Sequence, residues 1–426
     1  VPRPPSDPRS ATRVAAAVAL VGGAAFVVLA VLLVPWHPVP GGGPSTLPSR
    51  ESVLPADQLA RASAYAGPAR LLGWASYAVS MAVACWLGFT RAGRRLMGRL
   101  RGWWWVRVLL GVAAVSLVGR LATLPFAVVG YRRRVSYGLS TQAWPDWARD
   151  VVVSWAVGVV TTSLVLLLVV GCARRWRTWW PAIAGLIAAA LVLVGSFVYP
   201  LLVEPLFNSF TPLEAGPLRT AVLQLADEEG VPVDDVLVAD ASRRTTTLNA
   251  YVSGFGGTRR VVLYDNLVND LPQDQALSVV AHELGHAKYD DVLHGSLLGA
   301  AGAMTAIGLL GVVLSRRRRT RHGEADPQNT AGDPAVVPLV LALVAVAGLM
   351  ASPVQNGISR RIETRADVTA LEATADPRAF VELQKQLATR SLNDLSSPAW
   401  SQFWFGSHPT TRERIAIAGW LSDRAD

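Results

Sequence analysis

The sequence predicts a mainly α, polytopic membrane protein of about seven transmembrane helices, with a smaller α/β domain carried between and after them. Three observations predict it: an apolar composition, seven long apolar runs, and arginine clusters that fall on alternate connections. Of 426 residues, 51% are hydrophobic and only 17% charged, against roughly 25% in an average soluble chain. Neither a disordered tail nor a small disulfide scaffold has this composition, which reads as a membrane-embedded body with one modest polar domain. Lys+Arg 40 against Asp+Glu 31 leaves +9, and Lys288 and Lys385 are the only lysines. The arginines sit in short clusters between apolar runs rather than in a compact basic domain, so no nucleic-acid partner is expected. Cys85 and Cys172 both fall inside apolar runs, which leaves neither a disulfide framework nor a cysteine metal site. Any metal must be held by histidines and carboxylates.

A bilayer core of about 30 Å needs roughly 20 apolar residues as a helix. Runs 14–34, 71–90, 108–129, 151–172, 181–203, 292–314 and 335–350 reach or approach that length. The first follows Arg3, Arg9 and Arg13, as a signal peptide would, but it is longer than a signal core and no A-x-A site follows, so it is expected to stay as an anchor. The seventh is short, and Pro338 and Pro353 interrupt or end it. With the N-terminus placed in the cytoplasm, connections on that side (3–13, 91–107, 174–177, 316–321) carry seventeen arginines. The short connections opposite carry seven: Arg50, Arg61, Arg70, Arg132, Arg133, Arg134 and Arg149. The bias therefore directs odd-numbered helices outward. Segment 204–291 and the C-terminal tail then share the outer face, and they share a face under either orientation. The expected organisation is helices one to five in 1–203, a first polar part in 204–291, helices six and seven in 292–356 and a second polar part in 357–426. Arg120 lies mid-way along the third span, where it calls for either an ion pair or a water-filled interior. No nucleotide-binding glycine loop or internal repeat is evident, and 41–43 and 323–333 read as polar linkers.

In the first polar part, 221–229 reads as an amphipathic helix and 236–239 as a short strand. Two β-rich runs, 246–252 and 259–264, flank the glycine-rich 253–257 and suit a hairpin or bulged pair. A helix follows, with Asp270 as a cap and Pro272 in its first turn, and it runs into His282-Glu283-Leu284-Gly285-His286. Histidines at i and i+4 share one helix face, so His282 and His286 can hold one zinc while Glu283 takes a proton from a water beside it. With six histidines in the chain, a chance match to this pattern is on the order of 0.002 per chain; the plain alternative is a surface helix with two solvated histidines. A hydrolytic zinc needs a third protein ligand and an open fourth position. His294 is about 12 Å further along a continuous helix, too far to close the site. His37 and His322 lie in linkers. Glu363 follows the seventh span on the same side as the histidines and is the expected third ligand. Asp367, one turn later, suits the free ring N–H of a zinc histidine; the alternative is a solvated helix face paired with Arg360 and Arg365.

Together with Ser359-Arg360, Ala366-Asp367, Asn249-Ala250-Tyr251, Ser407-His408-Pro409, Glu204-Pro205-Leu206-Phe207-Asn208 and Tyr137-Gly138-Leu139, the motif makes the chain resemble the integral-membrane CAAX prenyl protease type I family of zinc metalloproteases, a gluzincin family. These landmarks occur in family order over roughly residues 70–420. The resemblance implies seven helices enclosing a large chamber, a zincin-like metalloprotease domain and a zinc site completed by Glu363. It also implies Asp367 and Arg360 around the ligands, Asn249 and His408 in contact with the peptide or its tetrahedral intermediate, and Arg414 as a helper at the family spacing after His408. Thr364 departs from the pattern, which usually has an aromatic residue there.

The expectation is an integral-membrane zinc endopeptidase holding one Zn2+ per chain and cutting near the membrane surface. The metal polarises the scissile carbonyl, and Glu283 serves first as base and then as acid. With His286 six residues before the sixth span, a continuous helix would hold the zinc about 9 Å from it, and the β-rich run containing Asn249 would offer its edge to an extended substrate. An intramembrane site-2-type protease is one rival. It wants the motif inside an apolar span, whereas Gln273, Asp274, Gln275, Lys288, Asp290 and Asp291 flank this one. A transporter or receptor with a structural zinc is the other. The expected partners are a peptide or membrane-protein substrate and the lipid bilayer; arginine-rich, lysine-poor usage points to a bacterial cell membrane, and the arginine bias to an extracytoplasmic catalytic face. Oligomeric state, substrate identity and prenyl dependence are not legible in the sequence.

Overall fold

The computed structural model describes residues 8–254, 259–316 and 331–425. Arg3, the part of the 253–257 turn from Phe255 onward, Arg317 to Arg319, Arg321, His322 and linker residues 323–330 lie outside the described residues, as do the side chains of Arg9 and Arg316.

The N-terminal half is helical: α1 (Pro8–Leu33), α2 (Arg50–Val53), α3 (Ala56–Phe89), α4 (Arg91–Arg99), α5 (Trp104–Ser136), α6 (Trp144–Arg175) and α7 (Trp180–Leu202). Of these, α1, α3, α5, α6 and α7 are long and apolar enough to cross a membrane. Several outrun their apolar runs. The 34 residues of α3 make about 51 Å at 1.5 Å per residue, against about 30 Å of hydrocarbon. Its extra turns come from 56–70, polar but alanine-rich, which favours helix without favouring lipid.

The polar part contains β1 (Phe210–Pro212), α8 (Pro217–Glu228), β2 (Asp235–Ala239), β3 (Ala250–Ser253), β4 (Arg260–Tyr264), α9 (Asp265–Asp270) and α10 (Gln273–Lys288). The sheet order is β1-β2-β4-β3, with β2 and β4 parallel and the other pairs antiparallel, so β3 is an edge strand. The strand expected over 246–252 begins only at Ala250. Upstream, threonine hydroxyls compete for the backbone: Thr245 Oγ1 accepts from Thr247 N (3.1 Å), and Thr246 Oγ1 donates to Gly138 O (3.0 Å). Asn249 therefore sits at the mouth of the strand, its carbonyl accepting from Tyr264 N at 3.0 Å.

The chain continues through α11 (Asp291–Arg316), α12 (Val337–Thr374), α13 (Pro377–Ser391), α14 (Ala399–Phe405) and α15 (Thr411–Ala425). Two expectations change here. The metal-motif helix is not continuous with the sixth span: Tyr289 and Asp290 separate α10 from α11, and Asp290 takes φ 51°. The seventh span is not ended by its prolines. Pro338 falls in the first turn of α12, where its missing N–H costs little, and Pro353 is passed inside one helix of 38 residues. The seventh span and Glu363 thus lie on the same rod.

Helix α1 runs along α11 through small residues, the usual device where lipid supplies no hydrophobic drive between helices. A Cβ on Gly308 would stand 2.4 Å from the backbone nitrogen of Ala19. The membrane core joins Val108 and Val112, Val169 and Val170, Trp180 and Ala184, Leu310 and Leu314, and Val337 and Val340. All of these lie near the arginine-rich ends of α5, α6, α7, α11 and α12. Beyond them the helices part: α6 buries nothing before Ser163, α7 nothing after Ala188, and α5 only Tyr131 beyond Val115. The bundle is packed at one end and opens toward the other. Over that end lies the polar domain, whose core unites Val222, Val236, Leu263, Val280 and Leu284 with Val368, Phe380 and Ile417 from beyond the seventh span.

Candidate active site

Three side chains converge under the polar domain. His282 and His286, one turn apart on α10, bring their Nε2 atoms to 3.3 Å, and Glu363 of α12 lies 3.3 Å from His282 Nε2 and 3.9 Å from His286 Nε2. Gly285 permits this approach of helices. A Cβ there would meet Thr369 at 3.3 Å and Ala366 at 3.4 Å on α12. Both histidines are oriented from behind by carboxylates, Asp367 at 3.0 Å from His282 Nδ1 and Asp291 at 2.9 Å from His286 Nδ1. Since carboxylates only accept, each Nδ1 carries the proton and each Nε2 lone pair faces the centre. Glu363 Oε2 is buried there with no hydrogen-bond donor of its own. Converging ring nitrogens and a carboxylate suit a cation, and ligands about 2.0–2.1 Å from a tetrahedral ion stand about 3.3 Å apart. The residues fit a divalent metal.

Each supporting carboxylate is in turn held by an arginine. Asp367, fully buried, receives both Arg414 Nε (2.8 Å) and the Arg414 Nη2 atom. Arg414 is delivered by a capping box at the start of α15. Glu413 N donates to Thr410 Oγ1 (3.3 Å) and Thr410 N to Glu413 Oε2 (2.7 Å). Asp291 receives Arg365, whose guanidinium lies 4.1 Å over the Tyr289 ring. Asp291 and Arg365 were missed as site residues. Their signal was available: Asp291 follows His286 by five residues, just past the end of the motif helix. Replacing Asp291 with Ala should weaken metal binding by about 10–100-fold without unfolding the protein; competition with a metal-sensitive dye reads the constant, and unchanged affinity would remove Asp291 from the site.

His408 Nε2 stands 3.3 Å from Glu363 Oε1, with its side chain 61% exposed over the site. Arg360 does not reach the metal-binding atoms. It donates to Gln402 O (3.2 Å) and Gly406 O (2.5 Å), and so holds the end of α14 that leads into Ser407 and His408. Gln402 Nε2 adds a bond to His408 O (2.6 Å). The exposed Asn249 side chain makes no hydrogen bond among the described residues. Its strand is anchored by Tyr251, whose hydroxyl donates to Glu204 Oε2 (2.9 Å). His294 stays outside the cluster despite the helix break, and His37 is exposed. At Thr364 the hydroxyl bonds back to Arg360 O (2.7 Å).

The Glu283 carboxylate has no hydrogen-bond partner among the described residues, and burial raises its pKa above the usual range. Burial opposes charge on His282, but its bonds to Asp367 and Glu363 outweigh it and push the metal-free ring up to about 10. A proton then occupies the place of the missing cation. Because the folded value is raised, this contribution to stability is complete below 6.5, the ordinary value, and is lost as pH rises through about 10. A metal ligand must be neutral, so metal uptake between these pH values should expel a proton and tighten as pH rises. Calorimetry in buffers of different ionisation enthalpy counts that proton; finding none would contradict the assignment.

The profile described as peptidase family M48 matches residues 212–419, and that described as CAAX prenyl protease N-terminal, five membrane helices, matches 46–209. The chain is 33% identical over 311 residues to the uncharacterized metalloprotease YhfN of Bacillus subtilis, covering 72% of each chain. The chain belongs to peptidase family M48. This M48 member is also 26% identical over 319 residues to a CAAX prenyl protease 1 homolog of Oryza sativa subsp. japonica, covering 73% of each. The crystal structure of S. mikatae Ste24p shares its fold, with a TM-score of 0.67 and 21% identity over 98% of this chain and 100% of that one. With seven long apolar helices among the described residues, the chain is an integral-membrane metalloprotease.

Proposed function

We propose that this M48 member is a zinc endopeptidase, with one ion per chain held by His282, His286 and Glu363, that cuts peptide or membrane-protein substrates at the level of the membrane surface. One observation carries the reading: ligand atoms of His282, His286 and Glu363 all lie within 4.8 Å of one another, beside the unpaired carboxylate of Glu283. Zinc bound there would polarise the scissile carbonyl and make an attacking water acidic. Glu283, lifted by burial, takes the proton of that water and later returns it to the departing amine. Asp367 and Asp291 keep the histidines in the tautomer that faces the ion. His408, steadied by Arg360 through the 402–406 turn, stands where it can donate to the carbonyl oxygen as charge develops. Asn249, at the mouth of the free edge of β3, offers its amide to a peptide laid along that strand.

The 26 residues of α11 span about 39 Å, and Glu363 lies 26 residues along α12, again about 39 Å from the arginine-rich end. Two rods thus support a height beyond a hydrocarbon core of about 30 Å. That height, and the polar α10 outside every span, disfavour a site-2-type protease. A structural zinc in a transporter or receptor leaves the unpaired Glu283 and the free strand edge without a purpose. The arginine bias supports a catalytic face outside the cytoplasm.

The test is hydrolysis of a quenched fluorescent peptide by purified protein in detergent. Chelation should remove activity, and one equivalent of zinc should restore it. Activity indifferent to chelation would overturn the reading, and protease accessibility of the tail after Glu363 in sealed vesicles decides the face.

A further inference from the structure

We propose that the cavity between α5, α6 and the polar domain is a carboxylate-binding subsite that receives the free C-terminus of a peptide substrate, an inference that rests on the endopeptidase reading above. Arg120 lies 16 residues from each end of α5, and its side chain makes no ion pair or hydrogen bond among the described residues. A guanidinium held mid-span without a partner is costly unless it faces polar space. It faces a cavity of about 400 Å³, whose walls also carry Arg134, Arg244, Asp150, Thr245 and Tyr264.

The cavity has cationic donors to spare. The Arg134 side chain makes no hydrogen bond or salt bridge among the described residues, and Arg244 keeps a buried Nε without an acceptor. The one carboxylate is already engaged: Asp150 accepts from Gln142 Nε2 (2.7 Å) and Arg149 (3.1 Å), with Arg244 at 3.6 Å. Three guanidiniums against one committed carboxylate suit an anionic group that accepts several charged hydrogen bonds, such as a carboxylate or a phosphate.

The sheet says which end of a substrate arrives there. Tyr264, in the cavity wall, donates its N–H to Asn249 O, and Thr245 lies four residues upstream of Asn249. The cavity therefore begins where the N-terminal end of edge strand β3 stops. Antiparallel pairing is the more stable mode for an added strand, and a peptide so paired runs opposite to β3, carrying its C-terminal end toward the cavity. A terminal carboxylate is the anion that every unmodified peptide bears at that end. Arg120, Arg134 and Arg244 would bind it and so place the chain along the strand.

Two fluorescent peptides of one sequence, ending in a free acid or an amide, test this with the purified full chain in nanodiscs. The acid should have kcat/KM higher by about tenfold, mostly through KM, and Arg120→Gln should bring the ratio close to one. Arg120→Lys, which keeps the charge, should retain part of the preference and controls for folding. Equal cleavage of both peptides by the wild type would refute the subsite and leave the endopeptidase reading standing; so would a preference that survives Arg120→Gln combined with Arg244→Gln. If neither peptide is cut, the endopeptidase reading fails, and fluorescence anisotropy with Glu283→Gln decides the subsite by whether the acid binds more tightly than the amide. Phosphatidylglycerol and phosphatidylcholine nanodiscs separate the sources of the anion. An acid preference common to both supports the peptide; no preference, with a phosphatidylglycerol-specific rise in Tm that Arg120→Gln removes, assigns the cavity to lipid phosphate and overturns the proposal.

Discussion

The Glu283→Gln protein should bind its metal as tightly as the wild type and hydrolyse peptides about 10³-fold more slowly. Glutamine keeps the size of the side chain, and Glu283 is not among the three converging acceptors, so the metal site has no reason to change. What disappears is a carboxylate that, among the described residues, has neither a hydrogen bond nor an ion pair to restrain it, and with it the means of moving a proton from water to the leaving amine. Metal content by elemental analysis, measured together with turnover of the quenched peptide, checks both halves. Full activity with normal metal would remove Glu283 from the chemistry; lost activity with lost metal would make it structural.

For Arg414→Met the expected result is a loss of about 3–5 kcal/mol of stability, because it strips the counter-charge from a carboxylate that is 0% exposed. The arginine grips Asp367 through two nitrogens and stacks its guanidinium 5.7 Å from the Phe380 ring in the domain core. Methionine keeps much of the packing, so the loss reports the charge. Metal affinity should fall as well, since Asp367 would no longer be held against His282. Adding Asp367→Asn should recover part of the stability and none of the affinity, because the buried charge is gone and the histidine has lost its acceptor. Chemical denaturation of single and double variants gives the coupling; additive losses would mean that the pair is not a unit.

How much was legible in advance depended on the distance over which each feature is encoded. The spans were visible because apolar length is a property of a contiguous run, and all seven runs are helical. Their ends were not. The alanine-rich 56–70 extends α3 well beyond its apolar run, because helix propensity and lipid preference are separate quantities. The histidine pair was visible because four residues of helix set its geometry. The break after Lys288 was not, since an aspartate at positive φ follows no apolar periodicity. Arg360 was expected near the metal and instead ties down the turn before His408, a contact across 46 residues that no local pattern encodes.

By itself, the sequence determined that this chain crosses a membrane about seven times and carries a paired-histidine motif beside a polar β-rich segment, because helix length, charge asymmetry and i,i+4 spacing are local and additive. Only the tertiary structure decided which carboxylate backs which histidine, where Asn249 stands relative to its strand, and that Arg120 opens onto a cavity. Those depend on helices α5, α10, α12 and α15 meeting across long stretches of chain, where the energy of a contact comes from burial and charge pairing that no single segment contains.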